Sequence, residues 1–328
     1  MRNNNEKKKR FKLFDMNRDG KGVYEEENRK PNLKFFFILL WRKFTQLLQL
    51  NLLMLLQVLP VLGIILINIF GAKTFNAADP MYAPLYGISK IVESPSLLSR
   101  LDIFGKQIEA PLITPLMIAG MAVLAIFLFV TFGWQNVGAA YVLRGLFRGE
   151  PMFIFSDFFY GIKKNWKQGL VVGMLDFVCC SVLAIDIYFF ITSASSIGID
   201  IMLGVLVAVA VIYIFMRFYI YQLLITFDMK TIKIIKNSLI FSILGIFRNL
   251  VGMVGIILFL AVHVLLILWL LPMGISIPLV LPFIYVPAII GFITVFAAYP
   301  VIDKYLIAPY KNEENNDSDE QQEEPLSE

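Results

Sequence analysis

The chain of 328 residues predicts an all-α, polytopic membrane bundle of about six transmembrane helices, with short amphipathic helices at the membrane interface. Three observations carry this. First, 58% of the residues are hydrophobic and only 16% are charged, whereas a soluble domain needs about a quarter of its residues charged to cover its surface. Second, crossing about 30 Å of hydrocarbon takes ~20 helical residues, and six apolar stretches reach that length: 44–70, 112–132, 170–191, 201–226, 250–271 and 277–298. Third, Lys and Arg alternate in density between successive connections, the signature of cytoplasmic retention.

Ahead of the first span, residues 1–33 form a basic polar arm rather than a signal peptide, so the first span serves as the insertion signal. Within the arm, Asp15, Asn17, Asp19, Gly20 and Glu26 fit the calcium-loop pattern D-x-D/N-x-D/N-G-x5-E. The context argues against a calcium site. Gly22 stands where the loop carries an apolar residue, Pro31 breaks the exiting helix, and no second hand is present. The segment reads instead as a Gly/Asn/Asp turn.

Orientation follows from the basic residues. Thirteen precede or open the first span, among them Arg29, Lys30, Lys34, Arg42 and Lys43. The connection 71–111 has four (Lys73, Lys90, Arg100, Lys106), matched by four acids. The connection 133–169 has Arg144, Arg148, Lys163, Lys164 and Lys167, and the next but one has Lys230, Lys233, Lys236 and Arg248, while the third and fifth have none. Both termini are therefore expected in the cytoplasm. The transmembrane domain is read as 34–310. Residues 311–328 are too acidic and too poor in apolar side chains to fold, and read as a disordered tail.

Between the second and third spans, residues 156–168 read as a short helix capped by Ser156 or Asp157, with lysines near its end as the helix dipole favours. Phe158, Phe159, Ile162 and Trp166 share one face, so the helix is expected to lie in the inner interface. Residues 228–248 repeat the theme, with a cap at Asp228 and Ile232, Ile235 and Leu239 on one side. These elements serve either as docking helices for a cytoplasmic partner or as lipid anchors.

Four ionisable residues fall at membrane depth: Asp176, Asp186, Arg217 and His263. Each needs a partner or a wet path. Asp176 and Arg217 share a depth and are expected to pair. Gly169, Gly173, Asp176, Cys180 and Ala184 form a small-residue stripe that turns Asp176 toward protein. His263 lies near the face of Gly252 and reads as a hydrogen-bonded structural group. One histidine and the adjacent Cys179 and Cys180 do not make a typical zinc site. Nor is there a GxxxxGK loop, a GxSxG elbow or an HExxH helix. The sequence therefore points away from an enzyme, a cofactor or nucleic acid, and toward membrane lipids as the immediate surroundings.

The stretch from Phe14 to Leu56, with GKGV and LWRKFTQLLQLNLLMLL, and the segment from Phe132 to Gly169 together resemble the YesL-like family of uncharacterised bacterial membrane proteins. The second segment carries the more specific match, through Gly133, Ala139, Tyr141, Arg144, Arg148, Gly149, Glu150, Asp157, Phe158, Phe159, Lys164, Asn165, Trp166, Lys167 and Gln168. Trp134 departs from a proline common in the family. About forty residues of external connection, and a second helix, also separate the first helix from this block where shorter members connect quickly. The family has no established activity, but its genes often sit beside those for carbohydrate-importing ABC transporters, so the resemblance implies an accessory or regulatory partner of a solute uptake system, with ABC transporter subunits as the partners. Within the matched block, Asp157, Phe158, Phe159, Lys164, Asn165, Trp166 and Gln168 are the candidate docking surface, on the charge count and helical spacing given above. A stand-alone small-solute permease with its site at the breaks made by Pro278, Pro282 and Pro287 is the alternative.

Overall fold

The computed structural model describes residues 31–71, 73–75, 109–111, 114–193 and 196–309. The calcium-loop pattern, most of the 71–111 connection and the acidic tail lie outside the described residues. Six helical spans are long and apolar enough to cross a membrane: Phe44–Phe70, Pro115–Arg148, Ile154–Thr192, Ile197–Thr226, Ile246–Met273 and Ile277–Ile307. The chain is thus a multi-pass, all-α bundle.

A helix that the sequence reading did not separate, α1 (Leu33–Arg42), precedes the first span. Asn32 starts it, its side chain accepting from Phe35 N at 2.8 Å. The first span is broken into α2 (Phe44–Met54) and α3 (Val58–Phe70) by a 3₁₀ turn at Leu55–Gln57. Pro60 explains the break, because it has no N–H for the carbonyl four residues back. Gln135 supplies a replacement donor in this region, its Nε2 lying 2.9 Å from the Leu53 carbonyl. Beyond α3 the strands β1 (Lys73–Phe75) and β2 (Glu109–Pro111) pair antiparallel, Thr74 opposite Ala110.

The second span, α4 (Pro115–Arg148), opens with Thr114 as its cap and proline at its first turn, and ends at Gly149 with φ 75, a left-handed stop that favours glycine. Then come α5 (Ile154–Thr192), α6 (Ile197–Thr226), α7 (Thr231–Leu244), α8 (Ile246–Leu270) and α9 (Ile277–Ile302). A π-helical turn, Asp303–Ile307, extends α9.

Two expectations need correction here. Residues 133–169 are not a loop carrying a separate helix: α4 continues to Arg148, and α5 runs from Ile154 into the third span across a kink at Asn165 (φ −119, ψ 22). The charges of Arg144, Arg148 and Lys163 end the apolar stretch, but nothing about them ends the backbone hydrogen-bond ladder. The expected caps also differ. α5 starts after Phe153, and Asp157, one turn in, accepts from Phe153 N at 2.7 Å. α7 starts after Lys230 and not at Asp228. Its inward stripe is Ile234, Ser238 and Phe241, while Ile232 and Leu239 face outward.

At 1.5 Å per residue, α4, α5 and α6 are about 51, 58 and 45 Å long, well beyond a hydrocarbon core of about 30 Å. Counted from the ends joined by the short 193–196 connection, the surplus falls at the opposite end. That end carries Arg144, Arg148, Lys163, Lys164, Lys167 and the α7 lysines. It also holds the tight packing. One cluster gathers Val137, Val172, Phe218, Tyr219, Leu223, Ile234, Phe241 and Ala298. A second gathers Leu39, Leu47, Leu50, Leu146, Phe158 and Phe292.

Candidate functional site

A close crossing of α4 and α5 sets the depth of the charged cluster. A Cβ on Gly173 would collide with the Gly133 backbone, and one on Gly133 with the backbone of Gly169 and Gly173. Glycine is therefore required where the two backbones touch. Asp176 follows Gly173 by three residues on the same face of α5 and is 2% exposed. From α6, Tyr213, Arg217 and Tyr221 arrive at i, i+4 and i+8, one stripe of a helix. Arg217 Nε lies 2.9 Å from Asp176 Oδ1 and 3.1 Å from Oδ2. The Tyr213 hydroxyl donates to Oδ1 at 2.7 Å, and the Tyr221 hydroxyl donates to Oδ2 at 2.6 Å. Cys180 Sγ approaches Oδ1 at 3.5 Å, and the Arg217 guanidinium stands over the Phe132 ring at 5.8 Å.

This carboxylate is saturated: two oxygens with about four lone-pair directions meet an ion pair, two phenols and a thiol. Buried charges persist when they are paired and fully hydrogen-bonded. The cluster therefore locks α5 to α6, and the edge of Arg217, whose side chain is 33% exposed, is its open side. Arg217 stands twenty residues into α6, about 30 Å from its start, at the border of the apolar layer.

A second set of polar side chains answers to the prolines of α9. Pro282, Pro287 and Pro300 lie inside this helix, and each leaves the carbonyl four residues earlier without its helical donor. Those carbonyls belong to Pro278, Phe283 and Phe296, and each receives a side chain from another helix. His263 Nε2 lies 3.0 Å from Pro278 O. Asn51 Nδ2 donates to Phe283 O at 2.6 Å, and Asn51 Oδ1 accepts from Ala288 N at 3.0 Å. Arg248 Nη2 donates to Phe296 O, and its Nε to Ala297 O, both at 3.2 Å. A carbonyl only accepts, so His263 Nε2 donates to it, and its Nδ1 shares a hydrogen bond with the Tyr285 hydroxyl at 2.9 Å. Beside this set, Asn249 Oδ1 accepts from Tyr219 at 2.7 Å, and Arg144 Nη1 donates to Ile225 O and to Thr226 Oγ1 at the end of α6.

The residues expected to form a docking surface divide. Phe158 is 2% exposed and packs where a Gly138 Cβ would stand, so it belongs to the core. Asn165 Nδ2 donates to Gly161 O at the kink, and Gln168 Nε2 donates to Met229 O, tying α5 to the α6–α7 turn. Trp134 Nε1 donates to the Trp166 carbonyl at 2.9 Å, a carbonyl beside the kink. Phe159, Lys164 and the Trp166 ring remain exposed, joined by Phe155, Tyr160, Lys163 and Lys167. Asp186 sits half-buried six residues before the end of α5.

Sequence reasoning missed Tyr213, Tyr221, Asn51 and Arg248 as parts of these networks. The four-residue spacing of Tyr213, Arg217 and Tyr221 was a visible signal for the first two. The match of three interior prolines to three polar donors was visible only as a coincidence of number.

The fold and its charged cluster define a multi-pass helical membrane protein whose membrane-depth polar groups join helix to helix. Residues 113–187, from the start of α4 through most of α5, match the model of a family described as a protein of unknown function, DUF624. No curated protein and no solved structure matches the chain.

Proposed function

We propose that this chain is a non-catalytic accessory partner of a solute uptake system in the bacterial plasma membrane, with both termini cytoplasmic. It docks the system's subunits through the segment of α5 ahead of the kink. One observation carries the reading: Phe155, Phe159, Tyr160, Lys163 and Lys164 are exposed along a segment whose other face is fixed in the core by Ile154, Phe158 and Gly161. A rigid aromatic and basic surface suits recognition, since aromatic anchors supply binding energy at low ordering cost. The uptake system itself, and carbohydrate as its cargo, rest on the resemblance to the YesL-like family. Against the permease alternative, the carbonyls freed by Pro282 and Pro287 already accept from His263 and Asn51, which favours the accessory reading.

The test is a photo-crosslinking benzoylphenylalanine at position 160 in native membranes. Adducts with a permease or ATPase subunit of an importer are expected. Adducts with lipid alone, together with solute transport by the purified chain in vesicles, would replace this reading with the permease.

A further inference from the structure

We propose that the acidic segment 312–328 of this same chain docks on the lysine row of α7, covering it. Lys230, Lys233 and Lys236 follow one another every three residues and are all exposed. Among the described residues none of them meets a carboxylate in an ion pair. The inner face of α7, with Ile234 and Phe241, is fixed in the core, so the lysines are held outward. Lys163, Lys164 and Lys167 extend the basic surface, because Gln168 fastens their helix to Met229 just ahead of Lys230.

The chain leaves the bundle beside this row. The Tyr305 ring stands 6.5 Å from that of Phe241, and Leu306 and Ile307 pack against the cluster that contains Ile234 and Phe241. Along α7, Phe241 is about 7 Å from Lys236 and about 16 Å from Lys230. Residues 312–328 include Glu313, Glu314, Asp317, Asp319, Glu320, Glu323, Glu324 and Glu328 and no basic residue. Extended at about 3.4 Å per residue, they reach well past the whole row. Tethering raises the local concentration of these carboxylates to the millimolar range, so weak contacts suffice. The competing occupant is an anionic lipid surface, which the outward Ile232, Leu239 and Ile243 would help α7 to touch. The tail is favoured because its eight carboxylates are repelled by such a surface and drawn to the lysines beside their own exit point. This inference does not depend on the uptake-system reading: it needs only that α7 and the end of α9 lie at the same end of the bundle, as the Phe241–Tyr305 contact requires.

Zero-length carbodiimide coupling of the full chain in neutral phosphatidylcholine nanodiscs, read by peptide mass spectrometry, tests it. Amide links from residues 313–324 to Lys230, Lys233 and Lys236 are expected. They should be lost in 1 M salt, where the screening length falls to about 3 Å. Links confined to Lys304 and Lys311, the tail's neighbours in sequence, would overturn the proposal. The coupling is repeated in phosphatidylglycerol discs, where the links should persist. Their disappearance there would identify lipid as the occupant and overturn the proposal equally.

Discussion

At the scale of single residues, Asn51, His263, Arg248 and Asp176 each answer a backbone or charge defect made elsewhere. A carbonyl without a donor in lipid costs several kcal/mol, because no water is there to replace the bond. Asn51 meets one such carbonyl, Phe283 O, and also accepts from Ala288 N. Asn51→Ala should therefore lower unfolding stability by about 2–6 kcal/mol, at roughly 1–3 kcal/mol for each of the two groups it leaves unpaired. Pro287→Ala restores an N–H at position 287 for Phe283 O, so the double variant should be more stable than Asn51→Ala alone. Thermal unfolding in detergent measures both, and a double variant as weak as the sum of the single losses would refute the stapling. The charged cluster gives a parallel expectation. Asp176→Asn should cost about 3–5 kcal/mol, as breaking a buried pair does, and adding Arg217→Gln should return part of it, since the uncompensated cation is then gone. A double-mutant cycle with no coupling energy would show that the two charges act independently.

At the scale of elements, close approach and kinks decide the outcome, and these were the least legible features in the sequence. The apolar lengths marked the spans well, because hydrocarbon thickness acts on composition alone: 44–70 and 201–226 fall inside single helical spans. Where helices ran past the membrane, hydropathy misled. Arg144 and Arg148 read as loop and the lysines of α5 as a separate interfacial helix, yet both stretches continue the helices of the spans and their apolar neighbours, Val142, Leu146 and Phe158, are buried against other helices. The small-residue stripe through Gly169, Gly173 and Asp176 was legible because a helical period exposes it, but its partner Gly133 was not, since pairing depends on how two helices cross. The crossing makes a sharp contrast testable. Gly173→Ala should strongly destabilise the fold, because its Cβ would strike the Gly133 backbone, which has no side chain to rotate away. Gly204→Ala, in the interior of α6 with nothing within 4 Å of the added methyl, should be neutral or stabilising by up to about 1 kcal/mol. Equal losses in unfolding midpoint for the two variants would mean that the contact of α4 with α5 is looser than the structure has it.

For the whole molecule, length and charge must agree on one topology, since six spans of a single chain leave its two ends on the same side. The surplus length of α4, α5 and α6 lies at the end that bears the lysines, the Asp176–Arg217 cluster and both packed cores, and α9 finishes there beside α7. The opposite end carries the β1–β2 pair and the short 193–196 and 271–276 connections, in which there is no Lys or Arg. Basic residues stay in the cytoplasm during insertion, so the expected topology has the lysine end inward and the 71–111 connection outward. Single cysteines at Asn76 and Ser318, in a background lacking Cys179 and Cys180, convert this into a measurement with an impermeant thiol reagent on intact cells. Asn76→Cys should be modified, and Ser318→Cys should react only after the membrane is opened. The reverse pattern would invert the bundle, and modification of both positions in intact cells would require an odd number of crossings.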